Sequence, residues 1–221
     1  MAPFGKIYSF MPNGRVFKIM AAAKLNNLDI EVADYQHMVT NKSAGFLEKF
    51  PLGKVPAFEG VDGLCLFESD AIARYIAASG PFSSQLLGSD AATSAQIQQW
   101  VSFTEGEIYQ AVLELVMWRV GMRPFEESTE CKALDKLERG LSILEGHLKN
   151  REWLVGPQLT LADLTAASAL VWAFMHIIDE PMREEFPKTT AWYLRVIGTT
   201  GIESVFGPPN LITARRTGPT C

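Results

Sequence analysis

An α/β domain with a four-stranded mixed sheet, followed by an all-helical domain, is the architecture expected of this sequence of 221 residues. Three observations lead there. Residues 1–80 alternate strand-like and helical runs, whereas every apolar repeat beyond Pro81 has helical spacing. A breaker, Ser79-Gly80-Pro81, divides the two regimes. The strands and helices of the first region fall in the order β-α-β-α-β-β-α, which calls for a sheet with helices on its faces.

Lys6-Ile7-Tyr8-Ser9-Phe10 reads as the first strand, and Met11-Pro12-Asn13-Gly14 as a turn opening an Ala-rich helix over 15–25. Residues 29–33 alternate as a second, parallel strand, and 43–50 form a short helix ending at Pro51. Strands at 55–59 and 64–67 flank Gly60-Val61-Asp62-Gly63, whose Asp-Gly is a hairpin signal. A helix over 69–78 completes the domain. Residues 81–87 read as a linker, 88–206 as the helical domain and 207–221, rich in Pro, Gly and Thr, as an irregular tail. Within the helical domain 91–122 is one long helix, and Leu134, Leu137, Leu141, Leu144 and Leu148 line one face of the next. Thr160-Leu161-Ala162-Asp163 has the form of a capping box, with Leu159 and Leu164 as its staple. The helix it opens is apolar nearly all round and belongs at the domain's centre.

Composition narrows the function classes. A net charge of −5 without a basic, aromatic-rich cluster gives no footprint for nucleic acid. Cys65, Cys131 and Cys221 have neither disulfide-framework nor metal-ligand spacing, and Cys65 reads as a buried small hydrophobe. His37, His147 and His176 form no triad or metal pattern. The apolar run over 164–178 is too short to span a bilayer, and the N-terminus lacks a signal-peptide core, so a cytoplasmic protein is expected.

The chemistry is concentrated in two stretches. Gly53-Lys54-Val55-Pro56 enters a strand through a proline, which has no N–H and holds its predecessor extended. With a cis Val55–Pro56 bond, the Val55 amide and carbonyl turn outward to pair with an extended peptide. Glu68-Ser69 stands where a strand gives way to a helix, and a helix N-terminus favours an anion. Together they describe a receptor for a small acidic peptide.

These motifs, in this order with Thr160-Leu161-Ala162-Asp163, resemble the cytosolic glutathione transferase superfamily over essentially the whole chain. Phe50-Pro51-Leu52-Gly53-Lys54-Val55-Pro56, Gln99-Trp100-Val101-Ser102-Phe103 and Trp153-Leu154-Val155-Gly156 are most similar to the transferase-like domain of the elongation factor 1B gamma subunit. Free-standing fungal glutathione transferases of that type share the likeness. The resemblance implies a thioredoxin-like first domain, glutathione as cofactor and a homodimer. Val55 would pair with the cysteinyl backbone of glutathione, Glu68 and Ser69 with its γ-glutamyl end and Lys54 with its glycine carboxylate. Pro56 shapes the corner.

A thiol needs a lowered pKa to serve as a nucleophile near neutrality, and a donor at the start of the first helix would supply it. Asn13, Ser9 and Tyr8 are the candidates; Asn13-Gly14 is also readable as a plain turn with a helix cap, and Arg15 as an exposed charge. A hydrophobic electrophile would lie between the domains, against Phe10, Met11, Tyr109, Met117, Trp118 and Trp172. Glu105 and Glu107 are readable as solvated or as reaching glutathione across a dimer. The chain ends shortly after the helical domain, which reads as a free-standing enzyme rather than a translation-factor scaffold. The reaction expected is conjugation, or addition and elimination that isomerises an activated double bond. No membrane or nucleic-acid partner is expected.

Overall fold

The computed structural model describes residues 3–218; Cys221 lies outside them. Strand β1 (Gly5–Tyr8) pairs parallel with β2 (Ile30–Val32) and antiparallel with β3 (Ala57–Gly60), which pairs antiparallel with β4 (Cys65–Phe67). The sheet order is β2-β1-β3-β4. Because side chains alternate across a pleat, Ile7 and Phe58 enter the main core while Tyr8 and Ala57 enter a second, smaller one. Helices α1 (Gly14–Leu25) and α3 (Ser69–Ala78) cover the first face. Helix α2 (Ala44–Lys49), with Phe46 and the adjoining Phe50, covers the second. Half-buried Cys65 packs on this second cluster.

The strands stop earlier than the sequence pattern suggests at one end of the sheet. Ser9 and Phe10 have left β1, and Val55 and Pro56 precede β3. That end carries the candidate site.

Residues 81–87, expected as a linker, hold the short helix α4 (Ser83–Leu87), which buries Leu86 and Leu87. The long helix expected over 91–122 is broken in its middle. Helix α5 (Ala91–Phe103) passes through a π-helical turn, Thr104–Tyr109, into α6 (Gln110–Arg119). Such turns recur at functional sites. Helix α7 (Glu127–Leu148) buries Leu137, Leu141, Leu144 and Leu148 as its spacing requires. Helix α8 (Leu161–His176) is the core: every residue over 161–171 is buried.

The start of α8 is fixed by Asp163. One carboxylate oxygen accepts from the Thr160 amide (2.9 Å) and hydroxyl (3.0 Å), the other from the Leu154 amide and the Trp192 indole, both 2.9 Å. Helices α9 (Glu180–Glu185), α10 (Pro187–Ile197) and α11 (Glu203–Phe206) complete the domain. The two domains meet where α1 lies along α8. Among the described residues no helix is long and apolar enough to cross a membrane.

Candidate functional site

Three chain segments converge because two strand registers align them. Tyr8 is opposite Ala57, and Ala57 is opposite Phe67. One residue further, Ser9, Pro56 and Glu68 stand level at the same end of the sheet.

The Val55–Pro56 peptide bond is cis. Among the described residues neither the Val55 amide nor its carbonyl has a hydrogen-bond partner. Asn41 donates to the Gly53 carbonyl at 2.8 Å and so braces the approach to this corner from behind. Lys54 is exposed and has no carboxylate partner among the described residues. At the second corner Glu68 has φ +69°, a conformation non-glycine residues adopt at a cost and retain mainly where function requires it. Its side chain does not cap α3. Ser69 is buried as a residue, but its hydroxyl oxygen reaches the surface and has no partner among the described residues. A solvent-facing hydroxyl not engaged within the protein is available to a ligand's oxygen or ammonium at this open end of the site. Behind Ser69, Asp70 pairs with the buried ammonium of Lys18 and thereby locks α3 to α1.

The first loop is equally ordered. Met11–Pro12 is also cis. Asn13 is the N-cap of α1: its oxygen accepts from the Arg15 amide at 2.9 Å, and its amide nitrogen donates to the Ser9 hydroxyl at 3.1 Å. Both residues are buried. Ser9 in turn donates to the Phe10 carbonyl at 3.2 Å. The Asn13 amide has two hydrogens, so one remains for another acceptor.

Tyr8 faces the other way. Its hydroxyl donates to Glu59 at 2.8 Å beside Phe46 and Phe50, and burial together with that carboxylate pushes its pKa up to about 12. The fold thus brings Asn13 and Ser9 together and separates Tyr8 from them by the thickness of the sheet.

Arg15, expected as an exposed charge, is half-buried. It pairs with Glu105 of the π-helical turn and stacks over the Tyr109 ring at 4.7 Å. Burial raises the Tyr109 hydroxyl to about 12, with the Arg15 charge opposing. This cluster joins the start of α1 to the second domain, and a Cβ on Gly14 would lie 3.3 Å from the Tyr109 ring. Glu107 pairs with Arg139.

The residues expected around an electrophile are dispersed. Phe10 and Met11 are exposed, and Tyr109 lies under Arg15. Trp118 is at the far end of α6, its indole donating to Glu130 at 2.7 Å and its ring edge-on to Phe125. Met117 and Trp172 are half-buried, the latter against the central core. The apolar cavity beside the first loop, about 560 Å³, has a different lining: Pro12 and Phe17, Val171 and Met175 of α8, Phe206, and residues 208–211. Sequence reasoning missed this lining because the tail read as irregular. The signal was Leu211-Ile212, an apolar pair in a polar stretch, together with Phe206, which stacks on Phe17 at 5.6 Å.

His147 contacts the Leu154 carbonyl at 2.8 Å and packs on Trp100, and His37 meets Tyr35. Among the described residues no cluster suited to a metal ion occurs.

A four-stranded thioredoxin-like domain with a proline corner and a strand-to-helix corner, joined to an all-helical domain, defines a class of protein that comparison with known families resolves. The model of the glutathione S-transferase N-terminal domain matches residues 3–78, and that of the C-terminal domain matches 108–199. The chain belongs to the glutathione S-transferase family. It is 66% identical to the glutathione S-transferase-like protein LUC7 of a Fusarium species, over 98% of this chain and 99% of that protein. It is 36% identical to elongation factor 1-gamma-A of Xenopus laevis, over 94% of this chain but 47% of that protein. The glutathione S-transferase-like domain of elongation factor 1-gamma from Saccharomyces cerevisiae superposes with a TM-score of 0.84 at 25% identity, covering 100% of both chains.

Proposed function

We propose that this protein is a glutathione-dependent enzyme that activates the thiol of glutathione for attack on a hydrophobic electrophile. The observation that carries the reading is the set of polar groups at one end of the sheet that make no bond within the described residues: the Val55 backbone, the Ser69 hydroxyl and the Lys54 ammonium. They match a short peptide with a carboxylate at each end. Val55 would pair with the peptide backbone, Glu68 and Ser69 with the γ-glutamyl end, and Lys54 with the glycine carboxylate.

Glutathione supplies the nucleophilic sulfur, and the protein's task is to hold the sulfur ionised. The free Asn13 N–H, set beside Ser9 at the positive end of α1, provides a charge-assisted donor. Tyr8 has its proton committed to Glu59. The cavity opening beside Pro12 gives the electrophile an apolar receptacle one residue from that donor. Conjugation, and addition with later elimination, both use this arrangement.

Titration calorimetry with millimolar glutathione tests the reading, and Glu68→Gly sharpens it. Glycine removes the carboxylate and also accepts φ +69° without strain. Stability should stay within about 1 kcal/mol of wild type, while the dissociation constant for glutathione rises at least about tenfold. Wild-type protein that binds no glutathione refutes the reading.

The likeness to elongation factor 1-gamma favours a second reading, a non-catalytic assembly module. It requires a stable complex with a nucleotide-exchange subunit in a pull-down. Glutathione turnover that depends on Asn13 or Ser9 excludes it.

A further inference from the structure

The tail, read from sequence as irregular, is tied down at a series of points. The Ile212 carbonyl accepts from Arg183 Nη1 at 2.6 Å, and the same nitrogen donates to the Ile178 carbonyl at 3.0 Å. The Glu180 amide donates to the Thr213 carbonyl at 3.2 Å, and the Ile212 amide to the Phe174 carbonyl at 3.4 Å. One oxygen of Asp179 caps α9 through the Met182 amide at 3.4 Å, and the other accepts from the Arg215 amide at 3.3 Å, with the Arg215 guanidinium at 3.9 Å. Each of these anchors lies on the C-terminal end of α8, the corner after it or α9; further along, Arg216 donates to the Arg119 carbonyl of α6 at 3.3 Å and lies over the Trp118 ring at 5.2 Å.

These ties come directly after residues 208–211, which form one wall of the cavity beside Pro12. Upstream the wall is pinned by Phe206 stacked on Phe17. Between the two pins stand Pro208 and Pro209, whose rings fix φ and stiffen the span. A stiff span held at both ends is positioned by its pins, and removing one lets the wall swing.

We propose that Arg183 and Asp179 are positioning residues for the second substrate. By holding Ile212 and Arg215 they keep residues 208–211 against the cavity, and the site therefore selects an elongated apolar substituent near the glutathione sulfur. This rests on the reading of the cavity as the electrophile's receptacle. Neither residue lines the cavity itself, and neither belongs to the glutathione corner.

S-methylglutathione and S-hexylglutathione measure the wall directly by calorimetry, without turnover. Wild type should bind the hexyl derivative at least tenfold more tightly than the methyl one. Arg183→Met, which keeps the apolar stem and loses the donors, should reduce that ratio below threefold and leave the S-methylglutathione affinity within twofold. Arg183→Lys should recover part of the ratio, because an ammonium still reaches one carbonyl. Asp179→Asn keeps an oxygen for the α9 cap and turns an amide nitrogen toward the Arg215 amide and guanidinium, so it cuts that tie and decides the matter if Arg183→Met does not fold; its ratio should also fall. If wild type prefers the hexyl chain and both Arg183→Met and Asp179→Asn keep that preference, this proposal is overturned while the glutathione reading stands. Equal binding of the two derivatives by wild type overturns it as well. If wild type binds neither, the glutathione reading falls and takes the proposal with it.

Discussion

Asn13→Asp should lower glutathione turnover by about 100-fold while leaving the melting temperature close to that of wild type. The two effects separate because the Asn13 side chain has two jobs. Its oxygen caps α1 through the Arg15 amide, and aspartate does this as well as asparagine, with a favourable charge at the helix N-terminus. Its nitrogen donates to Ser9 and keeps one hydrogen spare. Aspartate has no such donor. It would also draw the Ser9 hydroxyl toward itself and place a negative charge beside the sulfur. A like charge at that range raises a thiol pKa by about one to three units. The acid limb of the rate profile should therefore move to higher pH, and part of the lost rate should return in alkaline buffer. Wild-type turnover in Asn13→Asp would transfer the role to another group.

Asp163→Ala should be the most destabilising single change outside the site, by about 4 kcal/mol, against a total stability of about 5–15 kcal/mol for an ordinary domain. The carboxylate is fully buried and takes four hydrogen bonds, from Leu154, twice from Thr160 and from Trp192. Alanine leaves four donors buried without acceptors and opens a hole between the α7–α8 loop and α10. Asp163→Asn is the informative companion. Each oxygen accepts two donors, so whichever position the amide nitrogen takes, it faces two of them. A loss of about 2–3 kcal/mol is expected, measured by urea unfolding with an unchanged m-value. A loss below about 1 kcal/mol for alanine would show that the α8 cap is not what holds the helical domain together.

Asp163 also shows what a sequence reveals. A capping box is written in four adjacent residues and its chemistry is local, so Thr160 and Asp163 are legible from the order of residues alone. The same is true of Val55-Pro56 and of Glu68-Ser69 at the head of α3. The Leu154 and Trp192 donors are not legible, because they arrive from a loop and from α10 through tertiary packing. Helix rotation is similarly hidden. Trp118 and Tyr109 are both aromatic on one helical run, but the π-helical turn between α5 and α6 resets the phase of α6. Tyr109 then lies beneath Arg15, and Trp118 points to Glu130. The exposure expected of Arg15 failed for a related reason: Glu105, ninety residues away, neutralises it. The cavity lining was least legible, since it joins α1, α8 and a tail without periodicity.

The level alignment of Ser9, Pro56 and Glu68 makes the site a property of the assembled sheet. Ser9 comes from the start of the chain and Pro56 and Glu68 from the two arms of one hairpin, and two antiparallel registers bring the three level. A one-residue slip of β1 against β3 would exchange the faces of every side chain in the strand and separate the three. The unfolded chain accordingly contains no fragment that a ligand of this site could grip. Occupancy and folding are then thermodynamically linked: a ligand at 100 times its dissociation constant adds about 2.7 kcal/mol to the stability of the folded state. The protein's own melting point becomes a detector of whatever binds there, with no turnover required.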